Sequence, residues 1–188
     1  MSKDNKMLKN IKEFVKPFYI GESRKFHNWS HIKSAFDVWE RLNTEQKIAW
    51  LFHDIVYLPG SNENEQQSAN FMEKYINENY PEVDTYKIKN MILDTKSHIA
   101  TSTDSIILMD IDMLSFSLPY GKFLELRKLA FSEYKSFYGV DKTAKGTIDF
   151  CNEFLNKDKI FVSKDFDYLN ERAKRNLNSY LIYLKTTY

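Results

Sequence analysis

The segment that most constrains the fold is an apolar run that contains two ionisable side chains. It reads Ile48-Ala-Trp-Leu-Phe-His-Asp-Ile-Val-Tyr57, and its apolar residues recur at helical spacing, which predicts the buried side of a helix. Asn43, followed by Gln46 three residues later, is typical of a capping box at the start of that helix. An ionised Asp54 in such surroundings is costly unless it is paired or bound to a metal. A divalent cation shared with His53 would offset that cost.

Three of the four histidines fall in one short part of the chain. His27 and His31 are four residues apart, so on a helix they share a face. Together with a His-Asp pair they offer mixed nitrogen and oxygen ligands, which suit Mn, Fe, Co, Ni or Zn better than Ca. The structural alternative for His53 is a core histidine that bonds only to its neighbour or to a helix carbonyl. The compound pattern favours a metal site.

A low content of glycine and proline indicates long, uninterrupted helices. The chain has 188 residues with 5 Gly and 4 Pro, and 43% of its residues are hydrophobic, which is enough to build one real core. We therefore predict an all-α fold in a single domain over residues 1–188. Its core motifs lie at residues 24–113, and its C-terminal helices lie at residues 120–185.

Charge and cysteine content narrow the class of partner. The 27 basic and 26 acidic residues leave a net charge of +1, which gives no electrostatic basis for general nucleic-acid binding. We expect neither a signal peptide nor a membrane span, because no long apolar run follows the lysine-rich N-terminal residues. The single Cys151 excludes an internal disulfide and fits a reducing compartment, and its apolar helical neighbours place it in the core. We expect a cytoplasmic protein without a membrane partner, whose aromatic-rich helices are compatible with a homodimer.

Four other side chains are candidates for the site. Arg24 and Lys25 lie just before the histidines, where a guanidinium could hold a phosphate in a fork; a solvated basic pair is the alternative. Glu65 falls in the first turn of a predicted helix, where the dipole already favours an acid, and it takes a catalytic or water-positioning role only if the loop folds back over the metal. His98 begins a polar loop, and a surface residue is the alternative there.

Two carboxylates interrupt a second apolar run at residues 106–114. These are Asp110 and Asp112, and buried acids need partners. Because they are two residues apart, their side chains point in different directions on a helix. We expect one to act as a metal ligand and the other to support the structure. Asp112 could complete the shell begun by His31, His53 and Asp54.

The ordered set of His31, His53-Asp54 and Asp112 resembles the HD superfamily of metal-dependent phosphohydrolases. The likeness is closer to a small bacterial and phage-type subgroup described as predicted HD phosphohydrolases. Its elements correspond here, in order, to Arg24-Lys-Phe-His-Asn-Trp-Ser-His-Ile32, Trp50-Leu-Phe-His-Asp-Ile-Val-Tyr57, Asn64-Glu-Gln-Gln-Ser-Ala69, Thr95-Lys-Ser-His98 and Asp110-Ile-Asp-Met113. The Glu-Tyr at residue 133 and the Glu-Arg-Ala-x-x-Asn-Leu at residue 171 also resemble its C-terminal half. Three departures, at Phe26, Trp50 and Met113, leave the proposed ligands intact.

The resemblance implies an all-α HD-type helical bundle and a metal-dependent hydrolysis. His31, His53, Asp54 and Asp112 would hold one divalent metal, with Mg added to the candidate ions. That metal would activate a water and polarise a phosphoryl oxygen. The substrate would be a phosphate ester of a nucleotide or a related small metabolite.

Further roles follow from the same resemblance. Asp54 would also orient the attacking water. By likeness to cyclic-nucleotide phosphodiesterases, His27 would be the general acid. His98 and Glu65 would serve a second metal or the substrate, and Arg24 and Lys25 would neutralise phosphate charge. Two alternatives stay open: a non-catalytic HD-fold module that binds a nucleotide or a partner, and an HD-type oxygenase with two irons.

Overall fold

The regular structure of the residues that the structure describes is helical throughout. The computed structural model describes residues 2–188, in which nine α-helices and four 3-10 helices follow one another without a β-strand. The predicted all-α fold is therefore confirmed. None of the helices in this range is both long and apolar enough to cross a bilayer.

The chain forms two compact units, Met1–Met109 and Asp110–Tyr188. The first contains five whole α-helices and most of a sixth. They are α1 (Lys3–Val15), α2 (Trp29–Lys33), α3 (Thr44–Phe52), α4 (Asn64–Asn79), α5 (Thr85–Asp94) and α6 (Thr103–Asp112), with 3-10 helices at Lys16–Tyr19 and Phe36–Arg41. Helix α3 packs against α1, α4 and α5. That both units form one domain stays a prediction.

Helix α3 is the buried centre of the first unit. Trp50, Leu51 and Phe52 are all fully buried, and burial of each large apolar side chain contributes about 1.5–3 kcal/mol to folding. The predicted capping box is confirmed. The Asn43 side chain accepts a hydrogen bond from the Gln46 N–H at 2.8 Å, and the Gln46 side chain accepts one from the Asn43 N–H at 2.9 Å. The start of α3 is therefore set locally.

The end of α3 is set by tertiary hydrogen bonds. The helix stops at Phe52, whereas the apolar pattern predicts that it continues. The Ser68 hydroxyl bonds both the N–H and the carbonyl of Val56, at 3.1 and 3.2 Å. The Asn64 amide bonds both main-chain groups of Leu58, at 2.9 and 3.0 Å. Because α4 supplies partners for these main-chain groups, the chain leaves the helix, and the prediction is wrong beyond Phe52.

The helix that carries His31 is short. Helix α2 has only five residues, and the chain continues as a 3-10 helix at Phe36–Arg41. The Trp50 indole N–H donates to the Ile32 carbonyl at 2.9 Å, so a side chain occupies an acceptor that a longer helix would use for its own N–H. His27 precedes Asn28, the N-terminal cap of α2, whereas His31 lies within the helix. The expectation that these two histidines share a helix face is therefore wrong.

The second unit is built from three long helices. These are α7 (Tyr120–Tyr138), α8 (Val140–Asn156) and α9 (Asn170–Thr187), with 3-10 helices at Leu114–Ser117 and Asp167–Leu169. Helix α8 packs against α7 and α9. Gly139 joins α7 to α8 with a φ of 78°, a conformation that glycine adopts without steric cost. Cys151 is 1% exposed, which confirms its predicted place in the core.

Candidate metal centre

Three of the predicted metal ligands converge beside the end of α3. The Nε2 atoms of His31 and His53 lie 3.2 Å apart. Oδ2 of Asp54 lies 3.0 Å from His53 Nε2 and 3.6 Å from His31 Nε2. Bonds of about 2.0–2.2 Å from a metal to nitrogen or oxygen place neighbouring ligand atoms roughly 3.0–3.5 Å apart. The three donor atoms are therefore spaced like ligands on one face of a coordination sphere.

The turn after α3 makes this convergence possible. Consecutive residues of a continuing helix do not face each other, yet His53 and Asp54 direct their polar atoms to the same point. His53 is the C-cap of α3, and the N–H of Ile55 bonds the Phe52 carbonyl at 3.1 Å in a tighter turn. His31 reaches the same point from α2. Two elements and one turn thus build the group.

Trp50 orients His53. The Nδ1 atom of His53 lies 2.8 Å from the Trp50 carbonyl. A carbonyl oxygen only accepts hydrogen bonds, so this contact requires a proton on Nδ1 and leaves the Nε2 lone pair of a neutral imidazole for a ligand. The two rings also stack, with centroids 4.4 Å apart and planes 22° apart. Backbone and ring contacts together fix the direction of Nε2.

The group is nearly buried, with its remaining exposure at Asp54. The side chains of His31, His53 and Asp54 are 5%, 2% and 14% exposed. Burial raises the pKa of Asp54, but the neighbouring histidines outweigh that effect. The charge and the hydrogen bond of a protonated His53, together with attraction from His27 and His31, hold the Asp54 pKa well below its usual range. A proton on His53 Nε2 would satisfy one of the three contacts. A divalent cation would satisfy all of them, so the donor set fits a metal.

His27 lies beside the group without belonging to it. Its ring centroid is 6.0 Å from that of His31. The ring stacks on Tyr57, with centroids 4.3 Å apart and planes 29° apart. The imidazole is therefore held near the proposed ligands by an aromatic partner. Its predicted role as a general acid stays a prediction.

Arg24 and Lys25 differ in their surroundings. Arg24 is half-buried, and its guanidinium donates hydrogen bonds to three main-chain carbonyls, including those of His27 and Asp54. Lys25 is exposed. The structure thus gives Arg24 partners within the protein, and phosphate binding by either residue stays a prediction.

Glu65 and His98 are not members of the group formed by the three ligand atoms within the described residues. Glu65 is half-buried in the first turn of α4. His98 has a φ of 51°, a left-handed conformation that is uncommon outside glycine. Its loop is closed by the buried Asp94, which accepts hydrogen bonds from the Thr101 N–H at 2.8 Å and hydroxyl at 2.9 Å. Roles of Glu65 and His98 at a second metal or at the substrate stay predictions.

The two acids of the second apolar run have separate environments in the second unit. Asp110 is fully buried, and its two carboxylate oxygens accept hydrogen bonds from the N–H groups of Val162 and Ser163 at 2.8 and 2.9 Å. This matches the expectation that one of the two acids supports the structure. Asp112 and Arg127 are both half-buried, and the Asp112 carboxylate attracts the Arg127 guanidinium. Its role as a fourth metal ligand stays a prediction.

Several side chains around the three proposed ligands were not singled out from the sequence as functional residues. Trp50, Tyr57, Asn64 and Ser68 all lie within the motifs quoted above, but only the fold shows what they contact. A usable signal exists for Trp50, because a residue three places before a helical histidine lies within reach of its ring. Asn64 and Ser68 carry a weaker signal. They are two polar residues four positions apart, which places them on the same face of a helix that follows a loop.

Comparison of the chain with protein-family models, with curated proteins and with solved structures gave no match. The resemblance to the HD superfamily stays a prediction based on the ordered motifs.

Proposed function

We propose that this protein is a metal-dependent phosphohydrolase that cleaves a phosphate ester of a nucleotide or a related small metabolite. One observation carries the proposal. Three donor atoms, from His31, His53 and Asp54, lie within 3.6 Å of one another, and the bond from His53 to Trp50 leaves a lone pair directed at the other two. Such an arrangement is stabilised when a cation lies among the donor atoms.

The metal-binding part of the proposal assigns His31, His53 and Asp54 as ligands, with Asp112 as the fourth. The candidate ions are Mn, Fe, Co, Ni, Zn and Mg. Two histidines with one carboxylate are also the ligand set of non-haem Fe(II) sites, which keeps iron prominent among them. When bound, the ion would lower the pKa of a water and polarise a phosphoryl oxygen.

The remaining chemistry falls to residues of the chain. Asp54 orients the attacking water, which gives up one proton to solvent as its oxygen bonds to phosphorus. As the ester P–O bond breaks, His27 donates a proton to the leaving oxygen. Lys25, whose side chain is exposed, attracts the phosphate charge. The His27 ring lies 6.0 Å from the ring of His31, and this position beside the proposed ligands supports its assignment as the proton donor.

Elemental analysis of the purified protein beside two variants tests the proposal. Asp54→Asn removes a charged ligand with little change in volume. Asp84→Asn is the matched control, because Asp84 caps α5 and asparagine caps equally well. We expect about one first-row metal per chain in the wild type and the control, and none in Asp54→Asn. We also expect phosphate release from nucleotides or p-nitrophenyl phosphate only in the two metal-loaded proteins.

Other outcomes distinguish the alternatives. Two irons per chain with a visible absorption band would favour the oxygenase. One metal without turnover of any phosphate ester would favour the non-catalytic module. An absence of metal from all three proteins, even after reconstitution with Mn, Ni, Co and Mg, would contradict the metal centre itself.

We further propose a cytoplasmic location and a homodimer. The buried free thiol of Cys151 is compatible with a reducing compartment. Exposed aromatic side chains such as Phe137 and Tyr168, 56% and 77% accessible, provide apolar surface for self-association. Sedimentation equilibrium tests the dimer, and a single species of monomer mass across the concentration range would contradict it.

A further inference from the structure

The guanidinium of Arg24 ties the His27 turn to the main chain of the metal-binding segment. Its Nη1 atom donates to the His27 carbonyl at 3.0 Å and to the Asp54 carbonyl at 2.8 Å. Its Nη2 atom donates to the Ile55 carbonyl at 2.9 Å. One planar cation therefore spans two stretches of chain that are about 30 residues apart in sequence. It satisfies carbonyls that the turn after α3 leaves without helical partners.

The same guanidinium also lies near Tyr57, the aromatic residue whose ring stacks on His27. Its central carbon lies 5.1 Å from the Tyr19 ring centroid and 5.4 Å from that of Tyr57. Tyr57 in turn stacks on the His27 imidazole at 4.3 Å. The Arg24 guanidinium thus contacts the backbone of His27 directly and its side chain through Tyr57. The same guanidinium is also bonded to the carbonyl of the proposed ligand Asp54.

We propose that Arg24 is a positioning residue, which sets the distance between His27 and the metal ligands instead of binding the substrate phosphate. This inference rests on the proposed function, because the distance matters for proton transfer to the leaving oxygen. Three of the five N–H donors of Arg24 are committed to main-chain carbonyls. A phosphate that recruited those donors would leave the carbonyls unpaired at the base of the site.

The chemistry of the guanidinium explains why arginine suits this role. It presents donors in a rigid plane, keeps its charge at all ordinary pH values and stacks on aromatic rings. A lysine ammonium retains the charge but is a point donor on a flexible stem. It cannot reach carbonyls of both stretches of chain with the same geometry. The substitution Arg24→Lys therefore separates charge from positioning.

Steady-state kinetics of Arg24→Lys and Arg24→Ala test the proposal, with Arg175→Lys as the control. Arg175 is an exposed arginine paired with Glu171 on α9. With p-nitrophenyl phosphate and Mn²⁺, we expect kcat of the Arg24 variants to fall by about 10–100-fold while KM stays within about twofold. Guanidinium at millimolar concentration should restore part of the kcat of Arg24→Ala. A raised KM with unchanged kcat would overturn the proposal in favour of a phosphate ligand.

Two readouts separate this inference from the proposed function. The Co²⁺ dissociation constant, measured by absorption, should rise by about 10–100-fold in Arg24→Lys and stay unchanged in the control. The NMR signals of the His27 ring, which require neither metal nor turnover, should shift in Arg24→Lys alone. A wild-type protein that binds no metal or hydrolyses no ester would defeat the proposed function. Unchanged His27 signals in a folded Arg24→Lys would overturn the positioning role whatever the activity.

Discussion

His53 Nε2 and Asp54 Oδ2 lie 3.0 Å apart, although the two residues are neighbours in sequence. Neighbouring side chains on a continuing helix diverge by about 100°, so this contact depends on the end of α3 at Phe52. The consequence is chemical, because it brings a carboxylate and an imidazole lone pair to one point. The proposed metal centre therefore requires this turn as well as the two side chains.

Metal binding should stabilise the folded protein through His53. Because the unfolded chain does not hold the three ligands together, free metal at about 100 times Kd should raise the free energy of unfolding by about 2.7 kcal/mol. Thermal melts of chelator-treated protein, with and without added Mn²⁺ or Co²⁺, measure the effect. His53→Ala should abolish the metal-dependent rise. A rise that persists in that variant would place the metal elsewhere.

Loss of His27 should slow turnover without loss of metal. His27→Ala removes the proposed acid but none of the three ligand atoms, so the metal content should stay at the wild-type value. A positioned acid contributes about 10²–10⁴-fold to rate, and the loss should be greatest for esters with poor leaving groups. Comparison of kcat for a nucleotide and for p-nitrophenyl phosphate measures this difference. Loss of the metal in His27→Ala would instead identify His27 as a ligand.

Asn64 should stabilise the segment that follows the ligands. Its buried amide bonds both main-chain groups of Leu58, so Asn64→Ala removes two part-buried hydrogen bonds at a cost of about 1–3 kcal/mol. Urea unfolding measures the loss. Asn70→Ala is the control, because Asn70 is exposed on the same helix, where substitutions usually change stability by less than about 0.5 kcal/mol. Equal stability of the two variants would contradict this role.

Asp110 should stabilise the second unit in a manner that depends on pH. Asp110→Ala leaves the N–H groups of Val162 and Ser163 without their acceptor, which should lower the free energy of unfolding by about 1–3 kcal/mol. Asp149→Ala, at an exposed site on α8, should have little effect. Urea unfolding of both variants beside the wild type measures the difference.

The pH dependence follows from the pKa of Asp110. Burial raises that pKa, although hydrogen bonds from Ser163 and Val162 oppose the rise. The native state then binds a proton more readily than the unfolded chain, whose carboxyl pKa is about 3.9. The contribution of Asp110 to stability therefore declines as the pH rises from that value through the folded pKa. The side chain in Asp110→Asn does not titrate, so the wild type should lose stability relative to this variant as the pH rises through that window. A difference in the free energy of unfolding that stays constant with pH would contradict the raised pKa.

Cys151 should be unreactive in the folded protein. Burial raises the pKa of its thiol to about 11, partly opposed by Arg127, and the thiolate is the reactive form. At pH 8 we expect almost no reaction of the native protein with a thiol reagent such as DTNB. One thiol per chain should react in guanidinium chloride, since Cys151 is the single cysteine. Rapid and complete reaction of the native protein would show that the second unit opens readily.

The candidate ligands could be singled out in the sequence because their chemistry conflicts with their surroundings. An acid and a histidine in an apolar run must find compensation, and that argument singled out His53 and Asp54 from the sequence pattern alone. Low glycine and proline content predicted the helical class, and the Asn43–Gln46 spacing predicted where α3 begins. Each of these signals is local, since it depends on residues within one or two helical turns.

Tertiary structure decided where helices end and which groups hold the ligands. Ser68 and Asn64 bond main-chain groups just after α3, and Arg24 bonds carbonyls on a stretch of chain that is distant in sequence. Hydrophobic periodicity reports which positions are buried. It carries no information on which distant side chain will satisfy a given N–H or carbonyl. The sequence by itself therefore determined the helical class and the buried ionisable residues that need a partner, and the fold decided their geometry.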